Sequence, residues 1–101
     1  MENVNAEKLK ELQEGGKKIL VDLFGVWCGP CKQLIPRLES IEKEYPDVTF
    51  IKIDVDQNRD FAVALGVTGI PTVLIYNGKE LKHRSSGVNS DKFYKDVLNT
   101  L

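Results

Sequence analysis

Trp27-Cys28-Gly29-Pro30-Cys31-Lys32 lies between a continuous apolar run, Ile19-Leu20-Val21-Asp22-Leu23-Phe24, and a stretch with helical spacing. Few features constrain a small chain more. The run before the motif reads as a central strand covered on both faces. The motif therefore sits at a strand-to-helix junction, where a helix N-terminus favours a thiolate. Two thiols separated by two residues close on each other, reopen, and carry two electrons each time. They are the only cysteines in the chain.

Structural roles for the pair fit poorly. A structural disulfide stabilises mainly by closing a long loop, and this one would enclose only Gly29 and Pro30. A structural zinc site needs four ligands, and the one histidine, His83, is far along the chain. A zinc or iron–sulfur site would have to be shared between chains, so no metal is expected. A catalytic or electron-carrying dithiol remains.

One hundred and one residues suit a single domain over 1–101, and 42% hydrophobic residues supply a core for it. A net charge of -1 gives no general attraction to nucleic acid or to an anionic membrane. No stretch approaches the roughly 20 apolar residues of a membrane span. The polar start, Met1 to Lys8, has neither the apolar segment of a secretory signal nor an Arg-rich transit pattern. The expectation is a cytoplasmic protein, where a cysteine pair is more often catalytic than structural.

Helix and strand signals alternate along the chain. Asn5 is positioned to cap a short helix through Leu9 and Leu12, stopped by Gly15-Gly16. From Pro30 a longer helix places Leu34, Ile35, Leu38, Ile41 and Tyr45 on one side; Pro36 should kink it and Pro46-Asp47 end it. Val48 to Val55 is a second strand. Asn58 is a candidate cap for a helix from Arg59 to Leu65, closed by Gly66. Thr72 to Tyr76 and Glu80 to Ser85 form a hairpin about Asn77-Gly78. Ser90 would cap a last helix carrying Phe93, Val97, Leu98 and Leu101. Strands joined by a helix should be parallel and the final hairpin antiparallel. The fold class is α/β, a central mixed β-sheet with helices on both faces.

These residues resemble the thioredoxin family. Trp27-Cys28-Gly29-Pro30-Cys31-Lys32 matches its active-site motif. Val21-Asp22, Asp54-Val55-Asp56, Gly69-Ile70-Pro71-Thr72 and Gly87 match in order and spacing, over roughly Lys17 to Leu101. Two positions depart from the common pattern: Phe24 stands where many members carry Trp, and Val26 where many carry a polar residue. The segment before Asn5 is short for the family's first strand, so Met1 to Val4 supplies a stub or nothing.

The resemblance implies a thioredoxin fold and a protein-disulfide reductant. Cys28, at the helix N-terminus, is then the nucleophile. Its thiolate attacks a substrate disulfide, and Cys31, one turn in, resolves the mixed disulfide. Gly29 and Pro30 bring no charge that would stabilise the thiolate, so they favour a reductant. Thioredoxins as a class sit at about -270 mV and strong oxidants at about -120 mV, a gap on the order of 7 kcal/mol.

Asp22, six residues before Cys28, has two readings: a strand-end carboxylate that reaches water, or a buried acid beneath the cysteines. The resemblance implies the second, with a raised pKa and a role as base for Cys31. Lys52, alone in the next apolar strand, is either its partner or a solvent-facing lysine. The family's Ile-Pro-Thr proline is cis and faces the cysteines, so Pro71 would present the Ile70 backbone to an extended substrate. Trp27, Gly29, Pro30, Ile70, Pro71, Gly87 and Val88 make a weakly polar docking surface. His83 receives no role and is expected at the surface.

The chain has no Gly-rich dinucleotide motif and no room for its own flavin or nicotinamide, so no cofactor is expected. Electrons would come from a separate thioredoxin reductase, flavoprotein or iron–sulfur, and pass to disulfide-containing proteins. A monomer is expected. Two alternatives stand beside this reading: an isomerase or oxidant, which would favour a charged residue between the cysteines and a secretory signal, and a non-enzymatic binding subunit.

Overall fold

A computed structural model describes all 101 residues. Its strands are β1 (Glu2–Asn3), β2 (Lys18–Phe24), β3 (Val48–Asp54), β4 (Thr72–Asn77) and β5 (Glu80–Ser86). Its helices are α1 (Ala6–Glu14), α2 (Gly29–Glu42), α3 (Arg59–Ala64) and α4 (Asp91–Leu98). The sheet order is β1-β3-β2-β4-β5. β2 pairs parallel with β3 and antiparallel with β4, and β4–β5 is the antiparallel hairpin. The stub before Asn5 does form a strand: Glu2 and Asn3 run parallel to β3, and Val4 N–H donates to the Lys52 carbonyl at 2.9 Å.

Period-two alternation along β2 sorts the core into two layers. Ile19, Val21 and Leu23 join Leu9, Ile51, Ile53, Leu74 and Tyr76 in a cluster on the α1/α3 side. Leu20 joins Phe50, Val73, Ile75, Leu34, Leu38, Ile41, Tyr94 and Leu98 beneath α2 and α4. Asp22 shares the face of Leu20 and Phe24, and Phe24 packs with both cysteines. Strand alternation alone thus aims Asp22 at the layer that carries α2.

Several local expectations shift. The two-residue loop of the hairpin is Gly78-Lys79, because Asn77 stays extended and pairs with Glu80. Gly78 alone has a positive φ there, at 61°, the pattern of a turn with glycine at its first central position. The helix expected from Pro30 starts at Gly29, with Cys28 as its cap, and stops at Glu42; Tyr45 lies beyond it but still packs on the core. α2 runs through Pro36 as one helix.

Asn58 does not cap α3 with its side chain. Its amide donates to the Asp54 carbonyl at 2.9 Å and its oxygen accepts from Ala6 N–H at 3.2 Å, tying α1 to the end of β3. On α4 the buried aromatic is Tyr94, while Phe93 is partly exposed. His83 is half-buried rather than a free surface residue: its ring meets Phe93 edge-on at 5.2 Å, Nε2 has no hydrogen-bond partner, and burial pushes its pKa down.

Candidate active site

The chain leaves β2 at Phe24 and turns through Gly25 to Trp27, with Cys28 N–H donating to the Gly25 carbonyl at 3.1 Å. A Cβ on Gly25 would lie 2.9 Å from Ile70 Cδ1 and 3.0 Å from the Trp27 ring, so this turn needs glycine for space. Cys28 then caps α2. Its backbone is extended, and its Sγ accepts the Cys31 N–H at 3.2 Å. Pro30 occupies the first turn, where its missing donor is not needed.

Cys28 and Cys31 are joined as a disulfide with Cα atoms 5.3 Å apart. Cys31 is fully buried, and Cys28 retains 4% exposure. The Ile70–Pro71 bond is cis. The Ile70 carbonyl lies 3.8 Å from Cys28 Sγ.

Asp22 is fully buried and neither carboxyl oxygen has a hydrogen-bond partner. Burial disfavours its charged form and pushes its pKa from 3.8 up to about 7, while the Lys52 ammonium pulls the other way. Lys52 is paired with Asp22 in the β2–β3 register. Its Nζ stands 5.4 Å from the centre of the Phe24 ring, a cation–π contact on the cysteine-bearing side of the sheet. Asp22 and Lys52 therefore share a face without forming a close ion pair. Near neutral pH a carboxyl tuned this way exists in both forms and can take a proton as readily as give one.

The expected docking residues divide. Trp27 and Ile70 line an open apolar cleft of about 320 Å³, together with Val55, Ala62, Val63 and Val67. Pro71, Gly87 and Val88 do not line it. The Gly87 N–H instead donates to the Pro71 carbonyl at 2.8 Å, with φ of 77° at Gly87, and Val88 packs toward the α2/α4 core. Trp27 is 66% exposed and its Nε1 donates to Asp56 at 2.7 Å.

Asp56 and Val63 received no role from the sequence. Val63 had a signal: Phe61-Ala62-Val63-Ala64-Leu65 is an unbroken apolar run at a six-residue helix, which cannot bury every side. Val63 and Ala64 are left out, Val63 at 77% exposure. The Trp27–Asp56 contact, across 29 residues of sequence, had none.

Comparison with known proteins decides the family. The thioredoxin family model matches residues 2–99. The chain belongs to the thioredoxin family. A thioredoxin of Ophiophagus hannah is 45% identical over 83 residues, covering 82% of this chain and 79% of the relative. Thioredoxin-1 of Schizosaccharomyces pombe is 36% identical, covering 92% and 90%. The crystal structure of oxidised mitochondrial thioredoxin 3 from Saccharomyces cerevisiae superposes with a TM-score of 0.86 at 31% identity, covering 98% of this chain and 94% of that one. The five-stranded mixed sheet with four helices is the thioredoxin fold. The protein is a thiol–disulfide oxidoreductase that reduces protein disulfides through its Cys-Gly-Pro-Cys pair and is recycled by a reductase. No helix is long and apolar enough to cross a membrane.

Proposed function

We propose that the protein is a general cytoplasmic disulfide reductant, acting as a monomeric single domain, in which Cys28 attacks, Cys31 resolves and Asp22 moves the proton. The observation that carries this reading is Cys28 Sγ at the cap of α2, accepting a backbone N–H. Positive charge density at a helix N-terminus stabilises a thiolate there. The Cys28 thiolate attacks one sulfur of a substrate disulfide, forming a mixed disulfide and expelling the other sulfur as a thiolate. Cys31 gives its proton to the Asp22 carboxylate and attacks Cys28 Sγ. The Cys28–Cys31 bond forms, the mixed disulfide breaks, and the substrate leaves with both electrons.

Gly29 and Pro30, with no charge, leave the thiolate less stabilised than a charged pair would, which favours the reducing direction. Trp27 and Ile70 bound the docking surface, with Pro71, Gly87 and Val88 supporting the loop behind it. Lys52 adjusts Asp22 through space. Flavoprotein and iron–sulfur reductases are both suited to recharge the pair.

Equilibration with glutathione tests the direction. The expected potential lies near the figure already known for thioredoxins as a class, about -270 mV. A potential above the glutathione couple would replace the reductant with an oxidant.

A further inference from the structure

Arg84 lies outside every role assigned above. It sits on β5 opposite Leu74, whose side chain belongs to the α1/α3 layer. From there its guanidinium reaches the turn that closes α3, donating from Nη1 to the Leu65 carbonyl and from Nη2 to the Gly66 carbonyl at 3.0 Å.

α3 is short and packs on one side only, through Ala62 and the partly buried Phe61. It has six residues, and only Ala62 among them is buried. A helix below about 12 residues does not hold itself in water. Its C-terminal turn uses Gly66 N–H to Val63 O at 2.9 Å and Val67 N–H to Ala62 O at 3.0 Å, with Gly66 at φ 67°. That turn satisfies two carbonyls. The carbonyls of Leu65 and Gly66, beyond that turn, go to Arg84.

The segment that follows, Val67 to Ile70, contains no helix or strand. It forms one side of the cleft and carries the carbonyl that lies beside Cys28. Its far end is held by Thr72 Oγ1 donating to the Gly69 carbonyl at 2.6 Å. Its near end is held by Arg84.

We propose that Arg84 is a positioning residue for substrate proteins: its fork clamps the end of α3 and thereby sets the wall that receives the substrate chain. This deepens the reductant reading and rests on it. The fork matters because two donors in a rigid plane reach two successive carbonyls, which a single ammonium does not reproduce.

The test compares wild type, Arg84→Gln and Arg84→Lys, each pre-reduced and followed by the fluorescence of Trp27, the only tryptophan. Insulin is the protein disulfide, and glutathione disulfide is the small one, which does not need the wall. Arg84→Gln should raise the half-saturating insulin concentration about three- to tenfold with the plateau rate kept, as expected for the loss of two charge-assisted bonds at an exposed site. Arg84→Lys should fall between. Reaction with glutathione disulfide should stay at the wild-type rate, and exchange of the hydrogen-bonded amides of Leu65, Gly66 and Val67 should quicken in Arg84→Gln. An unchanged insulin concentration dependence, or a parallel loss with both disulfides, would overturn the assignment. If wild type reduces neither disulfide, the reductant reading fails by itself. Amide exchange then still reports on the clamp, and unchanged exchange would remove it.

Discussion

The two faces of the sheet are built from the same strands and spend their burial differently. On the α1/α3 face, Val21, Leu23, Ile51, Ile53 and Leu74 form an apolar layer. On the α2/α4 face the layer is equally apolar at Leu20, Phe50, Val73 and Ile75. Toward the C-terminal ends of β2 and β3 it changes, to Asp22, Lys52 and Asp54. The two buried acids differ again. Asp54 accepts the Asp56 N–H at 2.8 Å, while Asp22 has no partner. A buried carboxyl without partners destabilises the fold when charged. The buried layer of the first face carries no carboxyl or ammonium group. The second gives up stability next to the cysteines, where a displaced pKa is useful.

The largest contrast lies in the cysteines themselves. Cys28→Ser should reduce turnover to background and form no adducts, since the remaining thiol is buried. Cys31→Ser should also stop turnover but accumulate mixed disulfides, visible on non-reducing gels of a treated cell extract. Equal adduct yields from both variants would show that the roles are not directional.

Next comes a substitution on the purely apolar face. Ile51→Ala removes a fully buried side chain and should destabilise by about 2–5 kcal/mol in urea unfolding. The rate per folded molecule should not change. A slowed reaction in the folded fraction would erase the division between the faces.

Asp22→Asn should do the opposite, stabilising the fold while slowing reduction of disulfides at neutral pH. In the folded protein Asp22 keeps its proton up to about pH 7, while the unfolded chain releases it near 3.8. Across that window the folded state binds more protons, so wild-type stability falls as pH rises. The full penalty, on the order of 4 kcal/mol for a displacement of this size, applies above pH 7. The advantage of Asp22→Asn should be greatest at pH 8 and vanish below pH 4. A gain independent of pH would mean that Asp22 is not the titrating group.

The smallest effect belongs to Lys52→Met. Lysine opposes the raised pKa of Asp22. Removing it should move the midpoint of the Asp22 titration upward by a fraction of a unit, read by carboxyl NMR. A downward movement would mean that the two groups do not couple through space.

Much of this was legible in the chain because it depends on local spacing. The apolar run into Cys-Gly-Pro-Cys, the helical spacing of Leu34, Leu38 and Ile41, and Ser90 and Asn5 as caps each follow from neighbours within one or two turns. Ser90 Oγ accepts Phe93 N–H at 3.1 Å, and the Asn5 side chain accepts Lys8 N–H at 3.0 Å. Fold class and chemistry came with them, since the order of elements limits the sheet to a few arrangements.

Tertiary structure decided what depends on distant partners. Asp22 had two readings until α2 covered its face and buried it. Asn58, read as a cap, serves Asp54 and Ala6 instead, because α1 lies close enough to compete for its amide. The hairpin loop moved by one residue because Asn77 found a partner in Glu80. Trp27 on Asp56 and Arg84 on the end of α3 join segments 29 and 18–19 residues apart. Spacing within a helix or strand carries its own geometry; a hydrogen bond between distant segments exists only once the packed layers bring them together.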